Sequence, residues 1–104
     1  MFEILQGDIL SVEKIPFPVL VVSKNYFNRG EKVIVCPIRP ESQPGPLHIY
    51  VETQEIKGVA ECEQLRMLDL RLRGYRKRGE ICMEAIMDIT DAIQGIFDYY
   101  PYNA

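Results

Sequence analysis

The chain contains no tryptophan, a single histidine (His48) and three cysteines, no two of which are spaced as C-x-x-C. Structural zinc sites and dithiol redox pairs need such spacings, so the sequence implies neither a metal nor another cofactor. Cys36 and Cys62 fall inside apolar, strand-like runs and Cys82 on a helix-like face; all three read as small buried hydrophobes. No apolar run approaches the roughly 18 residues that a membrane span requires. The N-terminus also lacks the basic-then-apolar pattern of a secretory signal. A cytoplasmic protein with no membrane partner is therefore the expectation. Repeats, low-complexity segments and linkers are absent too, and 104 residues leave room for one domain spanning 1–104. A chain of this size buries roughly 60–70% of its unfolded surface, enough for one modest core.

Charge of one sign is also scarce overall, the net being −3, which excludes a uniformly basic polyanion binder. The distribution says more. Residues 66–78 carry six of the twelve Lys and Arg against one acid, Asp69, whereas residues 79–104 carry five acids and no base. Such asymmetry marks either an interaction face or two solvated segments of opposite sign.

What is present is mostly short strands. Asp8-Ile9-Leu10-Ser11-Val12 alternates, and Pro18-Val19-Leu20-Val21-Val22 is continuously apolar, as in a strand covered on both faces. Lys32-Val33-Ile34-Val35-Cys36-Pro37 is a third strand, ended by Pro37 and Pro40; residues 47–51 and 58–62 are a fourth and fifth, and residues 66–70 a further short one. Turn residues separate them (Asn28-Arg29-Gly30, Pro44-Gly45-Pro46, Lys57-Gly58), and a single helical turn fits around Tyr26-Phe27-Asn28. From Cys82 the period changes. Ala85, Ile86, Ile89, Ala92, Ile93, Ile96 and Phe97 recur every three or four residues opposite Glu84, Asp88 and Asp91, which predicts an amphipathic helix of about five turns stopped before Pro101. Ile86, Ile89, Ile93 and Ile96 are expected to be core. The pattern is that of a small barrel or sandwich with a helix laid on it.

Gly7-Asp8-Ile9, then Pro18-Val19-Leu20-Val21-Val22-Ser23 with Asn25, Phe27 and Asn28, then Val33-Ile34-Val35-Cys36-Pro37-Ile38, and finally Gly58-Val59 through Cys62-Glu63-Gln64-Leu65-Arg66-Met67-Leu68-Asp69 form an ordered series. In that order they resemble the MazF/PemK (Kid) toxins of bacterial type II toxin–antitoxin modules. The resemblance implies an α+β fold, mainly β: a small CcdB/MazF-type, SH3-like barrel of short antiparallel strands with a C-terminal amphipathic helix. It further implies a homodimer, a cognate antitoxin with a disordered acidic segment, and metal-independent endoribonuclease cleavage of single-stranded mRNA. The fold-related gyrase poisons of the CcdB kind act through a C-terminal Trp-Gly-Ile, which this chain lacks.

Two positions depart from the family pattern. Where the toxins enter the second strand with Arg-Pro, the Arg placed at the phosphate, this chain has Phe17-Pro18 after a short loop; where they carry Thr after the third strand, it has Arg39-Pro40. A phenyl ring cannot neutralise a phosphate, and proline offers neither a hydroxyl nor an amide hydrogen. The sequence thus points either to a nuclease with an altered or weakened site or to an inactive relative that binds nucleic acid or antitoxin as a dimer.

Candidate residues follow from the chemistry of phosphodiester cleavage, which needs a proton acceptor and stabilisation of phosphate charge. Arg39 either supplies the guanidinium fork lost at Phe17 or is a solvated loop arginine. Asp8 and Glu63 match acidic positions of the family; one of them serves as general base if the other raises its pKa, or both are structural. Gln64 and Arg66 suit RNA contact, the amide reading base edges and the arginine stacking or binding phosphate, alongside dimer packing. Arg71, Arg73, Arg76, Lys77 and Arg78 could track a nucleic-acid backbone with Tyr75 stacking, or form a solvated basic face. His48 reads as a packed or edge residue rather than a base. The aromatics of Tyr99-Tyr100-Pro101-Tyr102 suit a dimer or antitoxin groove.

Overall fold

The computed structural model describes residues 3–97 and Tyr99. The chain runs β1 (Asp8–Val12), β2 (Val19–Val21), α1 (Asn25–Asn28), β3 (Lys32–Arg39), β4 (His48–Glu52), β5 (Lys57–Glu61), β6 (Arg66–Asp69), β7 (Tyr75–Glu80) and α2 (Met83–Ile96). All pairings are antiparallel, in the order β4-β5-β3-β2-β1-β7 with β6 also on β3. The strands curl into a half-barrel, and the α+β class is the expected one.

Alternation along the central strands gives the sheet two apolar faces, which explains their continuous hydrophobicity. Leu10, Val12, Val19, Val21, Val33 and Val35 pack with Ile4, Leu68 and Leu70 on one side. Ile9, Leu20, Cys36 and Ile38 pack on the other with Val51, Ala60 and Ile89 of α2. Gly7 sits where the helix docks: its φ is +97°, and a Cβ there would lie 2.5 Å from Ile86 Cδ1. Positive φ and lack of room both demand glycine.

Several residues that carried the family resemblance turn out to pin the backbone. Ser23 Oγ accepts the Ile34 amide at 3.0 Å and donates to Asn28 Oδ1. Asn28 is buried and donates to the Ser23 carbonyl at 3.0 Å. Asn25 Oδ1 accepts the Gln6 amide at 2.7 Å. These bonds satisfy polar groups that burial would otherwise leave costly.

The structure corrects the expectations in five places. β3 does not end at Pro37 but continues to Arg39. On its outer edge β6 pairs with residues 32–35 and β5 with 38–39, so Pro37, which has no N–H to donate, falls in the gap between two partners. The basic segment contains a full strand, β7, paired with β1. The helix has 14 residues, about four turns rather than five. Ile96, in the last turn of α2, is 38% exposed and therefore not core. Cys82 is exposed at the N-cap of α2, outside the apolar stripe, whereas Cys36 and Cys62 are buried. Burial pushes the Cys62 thiol up to about 11, and Cys36 is raised likewise, so both stay protonated and unreactive. Tyr99 is exposed, and Tyr100, Pro101 and Tyr102 lie outside the described residues. Among the described residues no helix is long and apolar enough to cross a membrane.

Candidate functional site

Strand register assembles the site. Val19 stands opposite Pro37 and Leu20 opposite Cys36. Carried two residues outward, the same register sets Phe17 across from Arg39, and the Ile38 amide donates to the Pro18 carbonyl at 2.9 Å to hold that end of the ladder. The Arg39 guanidinium lies over the Phe17 ring, 4.8 Å from its centroid. The two departures from the family pattern are therefore cross-strand neighbours in contact. A phenyl face attracts a cation through its quadrupole, so Phe17 orients the charge that it cannot itself carry. Arg39 also meets Glu41, at 2.9 Å through Nε and 2.8 Å through Nη2, but Glu41 is well exposed, and such a surface pair exchanges readily with solvent or ligand.

Two more elements complete the site. β6 places Arg66 opposite Val35. After β5 the chain turns at residues 61–64, closed by the Gln64 amide donating to the Glu61 carbonyl at 3.0 Å. That turn brings Gln64 back beside Glu61. A cavity of about 500 Å³ results, with Ile15, Phe17, Val19, Val35 and Pro37 as its apolar wall and Arg39, Glu61, Gln64 and Arg66 as its polar one. Its size is within the range of pockets that take small ligands or single nucleotides. Gly58 makes the approach possible: a Cβ there would lie 2.8 Å from Ile38 Cγ2 and 3.2 Å from the Arg39 carbonyl carbon, pushing β5 off the end of β3.

The remaining candidates lie elsewhere. Glu63 leaves the cavity for His48, whose Nε2 donates to both carboxylate oxygens at 2.9 and 3.0 Å. That contact raises the His48 pKa and lowers that of Glu63. Asp8 is 1% exposed, accepts the Leu5 amide at 2.9 Å and faces Lys77 Nζ at 3.2 Å. It lines a second cavity, of about 440 Å³, with Leu10, Arg73, Tyr75, Arg76 and Lys77. Asp8 thus lines the second cavity while Glu63 pairs with His48 outside both, and the two carboxylates share no hydrogen bond, so neither acts on the other's proton. Arg71 is held by Asp69 through Nε at 2.9 Å and Nη2 at 2.7 Å, which brings the Asp69 carboxyl down to about 2. Arg78 donates to Ser11 Oγ at 2.8 Å and reaches Glu55 at 3.7 Å. The basic run consequently divides among separate partners instead of presenting one uniform face.

The structure adds Glu61 and Phe17 to the set lining the cavity. Glu61 was hidden by its neighbour: it stands two residues before Glu63 in the family-like motif, but strand alternation ends there and the turn sends the two side chains apart. Phe17 was legible only through the strand register. Among the described residues no group of three or more His, Cys, Asp and Glu side chains is close enough to hold a metal ion.

Comparison with known proteins agrees with this architecture. The family model for the PemK-like, MazF-like toxin of type II toxin–antitoxin systems matches residues 7–97. The endoribonuclease toxin MazF of Escherichia coli K12 is 29% identical over 77 residues, covering 73% of this chain and 69% of that protein. In a crystal structure of MazE–MazF from Deinococcus radiodurans, a chain superposes with a TM-score of 0.83 at 17% identity, over 92% of this chain and 97% of that one. An endoribonuclease from Mycobacterial species superposes at 0.80 with 18% identity, over 97% and 98%. At those identities the structural likeness establishes the fold.

Proposed function

Because the chain belongs to the PemK-like, MazF-like toxin family of type II toxin–antitoxin systems, we propose that it is a metal-independent endoribonuclease acting on single-stranded mRNA through a rearranged site. The observation that carries this reading is the contact of Arg39 with Phe17, 4.8 Å from guanidinium carbon to ring centroid. The family resemblance puts an arginine at the position of Phe17; in this reading Arg39, on the facing strand, takes over that charge. Arg39 and Arg66, lining one cavity, stabilise the charge that builds on a phosphate as the neighbouring ribose 2′-hydroxyl attacks it. A guanidinium suits this because its planar fork engages two phosphate oxygens at once. Gln64, at the same wall, offers an amide donor and acceptor to a base edge, and the phenyl face of Phe17 steadies the arginine rather than the base.

The wider reading follows from family membership. A homodimer, a cytoplasmic location and a cognate antitoxin with a disordered acidic segment are proposed; related structures are described as MazE–MazF complexes and as an endoribonuclease with its cognate antitoxin. An acidic segment is complementary to Arg39 and Arg66 and would compete with RNA for them.

The test is incubation of the purified protein with long single-stranded RNA in excess chelator, with the new ends mapped. Cyclic-phosphate and 5′-hydroxyl termini are expected. Intact RNA accompanied by a gel shift would assign a non-cleaving binder instead.

A further inference from the structure

Cleavage by an adjacent 2′-hydroxyl requires a group that takes the 2′-proton, and the two carboxylates matched to family positions are otherwise engaged. Asp8 is buried against Lys77 in the other cavity, and Glu63 is clasped by His48. Glu61 is the carboxylate that lines the cavity with Arg39, Gln64 and Arg66. Its Oε2 accepts the Ser42 hydroxyl at 2.9 Å, and only that oxygen is engaged among the described residues. Ser42 is held in turn by the loop between β3 and β4. His48 Nδ1 lies 3.1 Å from the Gln43 carbonyl and 3.3 Å from Ser42 Oγ, while Nε2 faces Glu63. With an acceptor at each ring nitrogen, His48 is satisfied as a double donor, its charge favoured by the Glu63 carboxylate. With both ring nitrogens turned to other acceptors, no ring lone pair is aimed at the Ser42 proton. The arrangement is thus not a nucleophile triad, despite its serine, histidine and glutamate. Its consequence is that the Ser42 hydroxyl has one role left, donating to Glu61 and fixing that side chain at the cavity wall.

Resting on the nuclease reading above, we infer that Glu61 is the proton acceptor of this site and that Ser42, anchored by His48 and Glu63, is the positioning residue that aims it. In the step, the 2′-oxygen forms a bond to phosphorus while its proton passes to Glu61. The bond from phosphorus to the 5′-oxygen breaks, and the departing oxygen takes a proton from water. The products are a 2′,3′-cyclic phosphate and a 5′-hydroxyl; Glu61 then returns its proton to solvent. Arg39 and Arg66 bear the phosphate charge throughout and exchange no proton.

The experiment compares the wild-type protein, Glu61→Gln and Ser42→Ala by steady-state cleavage of a long mixed-sequence RNA in chelator, over a range of RNA concentrations. Binding of a 2′-O-methyl RNA, which cannot be cut, is measured in parallel, together with thermal melts. Glu61→Gln keeps the shape and an acceptor for Ser42; it is expected to melt like the wild type, bind within about threefold, and cleave roughly 10²–10⁴-fold more slowly. Ser42→Ala is expected to lower kcat about tenfold at unchanged KM, the split that marks mispositioning rather than lost binding. A Glu61→Gln protein that cuts at the wild-type rate overturns the assignment of Glu61 alone, and an unchanged kcat for Ser42→Ala overturns the positioning role. A wild-type protein that binds the uncleavable RNA but leaves the mixed RNA intact overturns the nuclease reading and this step with it.

Discussion

Two of the cavities among the described residues, near 500 and 440 Å³, set acidic groups among cations. They differ in what those charges already touch. Beside β1 and β7, Asp8 is 1% exposed and Lys77 stands 3.2 Å away, with Arg73 and Arg76 lining the same cavity. At the end of β3, Arg39 rests on an aromatic face with one exposed acid as its partner, and Glu61 is tied by a neutral hydroxyl. A charge matched to a buried counter-charge is part of the scaffold, since a ligand would have to displace a partner that has nowhere else to go. A charge held by a ring or a hydroxyl is oriented yet still available to an incoming phosphate. Both cavities are basic, but Arg39, the cation at the end of β3, has no buried counter-charge.

The largest expected effect tests that contrast directly. Arg39→Ala should reduce RNA cleavage by roughly 10²–10³, the usual loss when a transition-state charge partner is removed. Arg76→Ala, beside the other cavity, should stay within about threefold. Equal losses would erase the distinction. Next in size is Asp8→Asn, which keeps an acceptor for the Leu5 amide but abolishes the ion pair with Lys77. It should cost about 1–3 kcal/mol in urea unfolding and leave the cleavage rate of folded protein unchanged. Full stability with lost cleavage would reverse the roles of the two cavities. Phe17→Leu keeps an apolar side chain but removes the cation–π contact; RNA affinity should drop about two- to fivefold, equivalent to roughly 0.5–1 kcal/mol. No change would mean that the ring does not orient Arg39.

The smallest effects are in pH. The hydrogen bond from His48 to Glu63 raises the folded-state pKa of His48 above its ordinary value near 6.5. Its stabilising contribution is therefore complete below that ordinary value and is lost as pH rises through the raised one. Asp69 runs the other way: held at about 2 by Arg71, it contributes above the ordinary carboxylate value and loses that contribution as pH falls toward 2. Thermal melts should show a slight loss as pH rises past the ordinary histidine value that His48→Gln abolishes, and an acid-side loss that Asp69→Asn reduces. The loop anchored by His48 is thus sensitive to rising pH, and the end of β6 at Asp69 to strong acid. If His48→Gln leaves the alkaline side unaltered, His48 does not anchor the loop.

How much of this could be seen beforehand depended on whether a feature was written in apolar pattern or in pairing. β1 to β6 and α2 were legible because Val, Ile and Leu mark strands at period two and helices at 3.6. β7 was not, since Tyr-Arg-Lys-Arg-Gly-Glu has a single apolar residue, Tyr75, to pack on the core and is otherwise held by its backbone ladder to β1 with help from Asp8 and Ser11. Pro37 looked like a stop because sequence does not show that β3 changes partners there. Arg39, Gln64 and Arg66 were identifiable from residue type and motif. Glu61 was overlooked because a turn, not strand alternation, decides which of two nearby glutamates faces the cavity. The partnership of Phe17 with Arg39 needed the register, which places residues 22 apart in sequence directly across from one another.

The most direct measurement is an amide NMR titration of the protein with a degenerate 2′-O-methyl oligoribonucleotide, which binds without being cut. The largest shifts are expected at Phe17, Arg39, Glu61, Gln64 and Arg66, with residues 75–80 nearly silent. Shifts concentrated along β7, with Arg39 and Gln64 unmoved, would contradict that expectation.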